Sequence, residues 1–347
     1  MKTTPAVFRQ YFDKSSPARL MVLTAVLLAL WAAWGGDLSE EETRLYRKVR
    51  EAQNRLWEEL ESRGVLSIED EHNDPDKSGF VGVEWSSITT TLGSLESKRN
   101  AGDPLWAVQT LRWLDGMGIG KGDRIVVLSS SSFPGMLFSV LAAAETRGIA
   151  IDLAVSLGSS TWGANRRSAP WPLLGRILRE HGFLATKPRF YTLGGGGENG
   201  GGIPGEGIAL LENAARDDGV NVFRAPSVAA VIDRKMSLIE DGAQKAKLVV
   251  NIGGSEANLG HDEAAIRLSP GLLPPETGLD AGDGVIGLAL KRGYPVLHLL
   301  NLRLLANKTG IAFHARRPSF GKGAPLAAAG VALFAFVMIT HRRWTWS

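Results

Sequence analysis

The chain has 347 residues, of which 44% are hydrophobic, and this suffices to bury the core of one large α/β domain or two small ones. It contains no cysteine, which excludes disulfides, thiolate nucleophiles, iron–sulfur clusters and cysteine-ligated zinc. The net charge is +3, but seven of the 39 Lys and Arg and only one of the 36 Asp and Glu lie in residues 1–35 and 319–347. Residues 36–318 therefore carry 32 basic and 35 acidic side chains, a net of −3, which indicates no nucleic-acid-binding surface.

The two ends of the chain are apolar and predict membrane-spanning helices. Residues 20–36 contain no charge, and Trp31 and Trp34 are placed as interfacial anchors, although a cleaved signal peptide is an alternative interpretation. A second uncharged run covers residues 324–340 and is followed by a basic, aromatic tail. Basic residues outside both runs predict a cell-membrane protein with cytoplasmic ends and an extracytoplasmic main domain.

Composition divides the chain into seven segments. Between the apolar runs, Leu45, Val49, Ala52, Leu56 and Leu60 are spaced by three and four residues, which predicts an amphipathic helix. The acidic segment after it matches no EF-hand spacing, and we interpret it as a solvated linker. The predicted segments are a basic amino-terminal tail (1–19), a transmembrane helix (20–36), an amphipathic helix (37–65), an acidic linker (66–80), an α/β domain (81–318), a transmembrane helix (324–340) and a basic-aromatic tail (341–347).

Residues 121–148 show the plan of the central domain. A turn leads into a continuous apolar run, Ile125 to Leu128, which predicts a strand buried on both faces; four serines follow, and Pro134 opens a helix. Further strand-like runs also end in loops rich in Gly, Ser and Asn, at 149–155, 189–193, 248–252 and 294–300. This alternation predicts an α/β fold with a mainly parallel, doubly wound, Rossmann-like sheet of about five or six strands, with flanking transmembrane helices.

The polar loops are expected to meet in one crevice, because ligands bind at the carboxyl ends of the strands in such sheets. Backbone N–H groups in glycine-rich loops, helix N-termini and hydroxyl groups suit carboxylate ligands. Tight strand-to-helix turns are the alternative explanation of the glycines. The predicted substrate-binding residues are Glu84, Ser86, Thr89, Ser130, Ser131, Ser132, Trp162, Asn165, Gly195, Gly196, Glu198, Asn251, Gly253, Gly254, Asn258 and Asn301.

Six motifs occur in order: VGVEWSSITTTLGSLESKR (81–99), SFPG (132–135), SSTWGAN (159–165), the glycine-rich turn after Thr192, NIGGSEANLG (251–260) and PVLHLLN (295–301). Together they resemble the poly-γ-glutamate system protein family, whose members are membrane-associated and accompany poly-γ-glutamate synthesis and export. The resemblance spans roughly residues 40–310. It implies a capsule-type polymer pathway rather than a reaction, with the membrane, poly-γ-glutamate or its synthase and export subunits as partners.

Two functions suit these features. The first is a membrane-anchored component of poly-γ-glutamate biosynthesis or export, with a crevice that binds γ-glutamyl chains. The alternative is a γ-glutamyl amide hydrolase or transferase, with Ser159 or Ser160 as nucleophile and His298 as base. Ser131 and Ser132 are further nucleophile options, and a buried core histidine is the alternative interpretation of His298. No cofactor or metal is expected, because the chain lacks a P-loop, Rossmann glycine spacing and histidine ligand pairs.

Overall fold

The computed structural model describes residues 38–313, apart from positions 243 and 263, and the single positions 24, 330, 332 and 334. Residues 44–315 form one compact unit, which contains all of the strands in the described part of the chain. Residues 1–43 and 316–347 group as a second unit, in which the described residues include the acidic first turn of a helix that starts at Glu40.

A six-stranded mixed sheet forms the centre of the first unit. The strands in the described residues are β1 (Thr89–Thr91), β2 (Arg124–Ser130), β3 (Ala150–Ser156), β4 (Ser159–Ser160), β5 (Asn165–Arg166), β6 (Ala169–Pro170), β7 (Phe190–Thr192), β8 (Leu248–Ile252), β9 (Gly271–Leu273) and β10 (Val296–Leu299). The central sheet has the order β7-β3-β2-β8-β10-β9. All neighbours are parallel except β10 and β9, so the sheet is mostly rather than wholly parallel.

Helices cover both faces of this sheet. The α-helices in the described residues are α1 (Glu40–Ser62), α2 (Ile68–Asn73), α3 (Leu95–Ala101), α4 (Leu105–Gly116), α5 (Pro134–Thr146), α6 (Trp171–Glu180), α7 (Gly205–Asp217), α8 (Val228–Glu240), α9 (Glu256–Leu259), α10 (Val285–Lys291) and α11 (Leu302–Thr309). Two 3₁₀ turns lie at Ala264–Arg267 and Pro275–Asp280.

Strand β2 is buried on both faces because its apolar run alternates between two hydrophobic cores. Ile125 and Val127 belong to one core, which includes side chains of α1, α4 and α5. Val126 and Leu128 belong to the other core, which includes side chains of α8 and α10. Successive side chains of a strand point to opposite faces, so a continuous apolar run suits only a strand that is covered twice.

The order in which strands are added to the sheet changes direction at the neighbouring strands β2 and β8. The chain runs from β2 outward through β3 to β7, and then returns to build β8 and β10 on the other side of β2. The carboxyl ends of these five parallel strands share one edge of the sheet. The point of reversal in such a sheet is where the connecting loops diverge and leave a crevice.

Two short sheets extend this carboxyl edge. Strand β1 pairs in parallel with β4, which follows directly after β3, with Thr89 opposite Ser159 and Thr91 opposite Ser160. Strands β5 and β6 form a small antiparallel pair immediately before α6. Segment 81–99 is thereby folded over the end of β3, although its strand covers only three residues.

Helix α1 buries the apolar stripe that its sequence spacing predicts. Leu45, Val49, Ala52, Leu56 and Leu60 are each at most 2% exposed.

The acidic segment after α1 includes the short helix α2, and two of its carboxylates, Asp70 and Asp74, are buried. Asp70 accepts a hydrogen bond from the Arg166 guanidinium. Asp74 accepts hydrogen bonds from the Ser78 hydroxyl and the Gly79 amide.

The flanking transmembrane helices predicted from the sequence are not supported by the described residues, and the fold is corrected to an α/β domain with a mixed, mostly parallel sheet. Among the described residues, no helix combines the length and apolar character needed to span a bilayer. The longest of these, Glu40–Ser62, has 23 residues but bears charged side chains throughout. The predicted runs 20–36 and 324–340 fall outside the described residues except at positions 24, 330, 332 and 334. The prediction rested on uncharged apolar runs near the short limit of about 17 residues for a span, with tryptophan and basic residues at their ends, and such local features do not determine a spanning helix by themselves.

Candidate functional site

Hydroxyl and glycine loops from distant parts of the sequence meet at the carboxyl edge of the sheet. The loop after β2 is joined to the end of β3 because Ser131 Oγ donates to the Ser156 carbonyl oxygen at 2.9 Å. Ser159 Oγ donates to the Ser131 carbonyl oxygen at 3.1 Å. Gly253, after β8, is so close to Ser130 that a Cβ at Gly253 would lie 2.2 Å from the Ser130 hydroxyl oxygen. The loops of β2, β3 and β8 therefore form one contiguous surface.

At this edge a serine and a lysine form a buried hydrogen-bonded pair. Lys98 Nζ, on helix α3, donates to Ser160 Oγ, on β4, at 2.8 Å. The same ammonium or amine nitrogen lies 2.5 Å from the Ser132 carbonyl oxygen. Lys98 is 3% exposed and Ser160 is 6% exposed. We call these two residues the Ser160–Lys98 pair.

Local structure holds each member of the pair in place. Ser94 precedes helix α3 and caps it, because its hydroxyl accepts a hydrogen bond from the Ser97 amide at 3.4 Å. One turn later the helix directs Lys98 inward. Ser160 is held by the pairing of β4 with β1 and by its own amide, which donates to Ser132 Oγ at 3.0 Å.

The environment of Lys98 favours the neutral amine. Burial lowers its pKa from 10.5 to about 7, because water no longer solvates the charge. Within the described part of the chain, Lys98 forms no ion pair that would restore the charged form. The Phe133 ring lies 3.6 Å from Nζ and is a weak compensation for the ammonium state. Near neutral pH, a large fraction of Lys98 is thus available to accept a proton.

A second buried lysine at the same edge, Lys235, has a carboxylate beside it. Lys235 Nζ is 3.5 Å from a Glu198 carboxylate oxygen, and it donates to Ser255 Oγ at 3.0 Å and to Asn258 Oδ1 at 2.9 Å. Burial raises the pKa of Glu198, but Lys235 and the surrounding hydroxyl donors outweigh this effect and leave the pKa below its usual value. Burial also lowers the pKa of Lys235 from its usual value, and Glu198 opposes this effect. Unlike Lys98, this lysine therefore has a carboxylate beside it that favours the ammonium.

The charged pair continues as a polar chain to His298. Asn258 Nδ2 donates to Asn251 Oδ1 at 2.8 Å, and Asn251 Nδ2 lies 3.1 Å from His298 Nδ1, which accepts in this arrangement. Burial lowers the pKa of His298 to about 4, against a smaller opposing effect of the Ala265 backbone. His298 lies on β10, three strands from β3, and its hydrogen bond is to Asn251. The structure does not place it with Ser159 or Ser160.

Other residues expected in the crevice hold the loops together. Asn165 accepts from the Val83 amide at 2.9 Å and donates to the Val83 carbonyl oxygen at 2.8 Å and to Thr89 Oγ1 at 2.9 Å. Ser86 Oγ donates to the Asn165 carbonyl oxygen at 2.5 Å. Glu84, in contrast, is exposed. These contacts fasten segment 81–93 onto the edge where the Ser160–Lys98 pair lies.

Glycine loops give the edge its open surface. Gly196 and Gly254 are exposed, Gly195 is half-buried, and the Gly197 amide between the loops donates to the Glu256 carboxylate at 2.7 Å. Three described non-glycine residues near this edge adopt positive φ: Trp162, Glu198 and Asn301. Such conformations cost free energy and concentrate at functional sites. Their location supports the carboxyl edge of the sheet as the candidate functional site.

Lys98 is the residue that sequence reasoning missed. It lies inside the 81–99 motif, but no spacing in the sequence relates it to Ser160, which is 62 positions away. A groove of about 530 Å³ between α6 and α7 is the main alternative site, lined by residues such as Arg167, Arg176 and Asp217. We favour the carboxyl edge because the groove contains no buried nucleophile. Among the described residues, no group of three or more His, Asp or Glu is arranged to hold a metal ion.

No known protein family, curated protein or solved structure matches this chain, so the resemblance to poly-γ-glutamate system proteins rests on the sequence motifs alone.

Proposed function

We propose that this protein is a serine-dependent acyl hydrolase or transferase in which Ser160 is the nucleophile and Lys98 the general base. The observation that carries the proposal is the 2.8 Å hydrogen bond between Ser160 Oγ and a buried lysine whose pKa burial lowers to about 7. A nucleophile paired with a base near neutral pKa is what acyl transfer requires. Serine–lysine pairs are a known variant of the serine–histidine arrangement.

Lys98 transfers one proton in each half of the reaction. Neutral Lys98 accepts the Ser160 hydroxyl proton while Oγ bonds to the carbonyl carbon of an amide, and a tetrahedral intermediate forms. The Lys98 ammonium then gives that proton to the leaving nitrogen as the C–N bond breaks, which leaves an ester on Ser160. Water or an acceptor amine attacks the ester, Lys98 takes the proton of that attacking group and returns it to Ser160 Oγ, and the acyl product departs.

The substrate we propose is a γ-glutamyl amide, in poly-γ-glutamate or in a shorter chain. The sequence motifs support this choice by their resemblance to poly-γ-glutamate system proteins. Exposed glycine backbone at Gly196 and Gly254 also suits a ligand that carries a carboxylate on every unit.

A non-catalytic γ-glutamyl-binding component is the second candidate. The observation in its favour is the low exposure of the Ser160–Lys98 pair, 6% and 3%, beside glycine loops that are open to solvent. In that case the protein retains poly-γ-glutamate without shortening it.

The test incubates the full chain with poly-γ-glutamate and follows chain length by gel electrophoresis. We expect shortening or transfer products with the natural protein and with Ser62→Ala, an exposed serine at the end of helix α1 that serves as the control. Ser160→Ala and Lys98→Met should abolish them. A fluorophosphonate probe should add its mass to Ser160. Unchanged polymer together with unlabelled Ser160 would reject the enzyme and leave the binding component.

A further inference from the structure

We propose that residues 92–94 form a strap that closes the Ser160–Lys98 pair, and that Thr161 is the positioning residue that latches it. The strap must move away before an acyl group reaches Ser160. This inference rests on the proposed function for its catalytic meaning, but the closure itself has its own structural basis.

The strap is the layer between the pair and solvent. Gly93 is exposed, whereas Ser160 and Lys98 beneath it are buried. A Cβ at Gly93 would lie 3.0 Å from Ser160 Oγ and 3.2 Å from Lys98 Cε. A Cβ at this position would be tightly packed against the pair, and the acyl carbon of a substrate has to occupy part of the same space.

A single hydroxyl latches the strap. Thr161 Oγ1 accepts from the Gly93 amide at 2.6 Å and donates to the Gly93 carbonyl oxygen at 2.9 Å. Thr161 is 2% exposed, and the two hydrogen bonds are partly buried. Both backbone polar groups of the central strap residue thus depend on one side chain.

Both ends of the strap are anchored independently of this latch. On one side, the Thr161 amide donates to the Thr91 carbonyl oxygen at 2.9 Å, at the end of the β1–β4 pairing. On the other side, Ser94 caps helix α3. Between these anchors Leu92 is 85% exposed and belongs to neither hydrophobic core. A short segment between two fixed ends can swing by changing a few backbone angles.

The experiment compares Thr161→Val with Thr90→Val in the full chain. The first variant removes the latch hydroxyl. The second removes a neighbouring hydroxyl that donates to the Ser159 carbonyl oxygen at 3.2 Å and leaves the strap untouched. Three rates are measured: hydrogen exchange of the 92–94 amides, acetylation of Lys98 by N-hydroxysuccinimidyl acetate, and labelling of Ser160 by a fluorophosphonate.

We expect Thr161→Val to accelerate all three rates by roughly tenfold, as the loss of one or two buried hydrogen bonds predicts, while Thr90→Val leaves them near the natural values. Unchanged exchange and unchanged Lys98 acetylation in Thr161→Val would overturn the strap. If exchange and acetylation accelerate but Ser160 remains unlabelled in every variant, the strap stands as a closure and the proposed catalytic function fails. Labelling of Ser160 at equal rates in both variants would overturn the gating role alone.

Discussion

Replacing Lys98 with methionine tests the central physical claim through stability, without any substrate. Lys98→Met keeps most of the buried stem and removes the amine. In the natural protein the folded-state pKa of Lys98 is lowered by burial to about 7, whereas a lysine in the unfolded chain titrates near its ordinary value of 10.5. Between these values the unfolded chain binds more protons, so the free energy of unfolding rises with pH in that window.

The size of the effect follows from the two pKa values. At pH 7 half of the folded molecules carry a protonated Lys98, and at pH 9 almost none do, while the unfolded lysine is protonated at both. Linkage then gives the natural protein a gain of about 2 kcal/mol between pH 7 and pH 9 from this one residue. The cost of burying the charge is fully present below pH 7 and disappears as the pH approaches 10.5.

The assay is urea unfolding at pH 7, 8 and 9 at constant ionic strength, for the natural protein and for Lys98→Met. Contributions of other titrating groups cancel in the difference between the two proteins. Lys77→Met is the matched control, because the Lys77 side chain is 50% exposed and pairs with Glu71 at the surface. If the difference between natural protein and Lys98→Met stays constant across this range, Lys98 is not near neutrality and cannot serve as the base.

Three further predictions concern the remainder of the carboxyl edge. Lys235→Met leaves the Glu198 carboxylate buried without its counter-charge and should lower the free energy of unfolding by about 3–5 kcal/mol, and the double variant with Glu198→Gln should recover much of it, as urea unfolding will show. His298→Gln should leave the midpoint of the pH–rate profile of amide cleavage near pH 7, because the pKa of Lys98 is about 7 and that of His298 about 4. A displaced midpoint would indicate that His298 is the base. Gly253→Ala places a Cβ 2.2 Å from the Ser130 hydroxyl oxygen, at a residue with φ +80, and should lower the melting temperature. Gly182→Ala is the control, because Gly182 has a similar φ of +74 but open space around it, and its loss should be clearly smaller. Equal losses in the two variants would contradict the close approach of Gly253 to Ser130.

Strand β2 shows what a local sequence pattern can predict. The apolar run from Ile125 to Leu128 and the serines after it predict a strand that is buried on both faces and followed by a polar loop, and β2 is such a strand. The apolar ends of the chain show the opposite case. Composition and run length predicted membrane spans there, but these features do not determine a spanning helix by themselves, and the structure supports none among the described residues.

Within the site, the sequence placed Ser160 and His298 at the same edge, and their chemistry made them candidates for one reaction. The fold separates them, because His298 extends from β10 into a hydrogen bond with Asn251. The fold also brings in Lys98, which no pattern in the sequence singled out. Glu198, expected as an open crevice residue, is instead 0% exposed and paired with Lys235.

The sequence alone determined two features: the alternation of buried strands and helices, and the concentration of hydroxyls and glycines where strands end. Both follow from periodicity and turn chemistry within a few residues. Which buried lysine has a carboxylate beside it was decided only by the tertiary structure. Burial and the distance to a counter-charge set a pKa, and both depend on residues that are remote in the chain. Lys98 is buried without a carboxylate beside it and Lys235 is buried next to Glu198, and this contrast, which no local pattern in the sequence contains, is the basis for proposing Lys98 as the base.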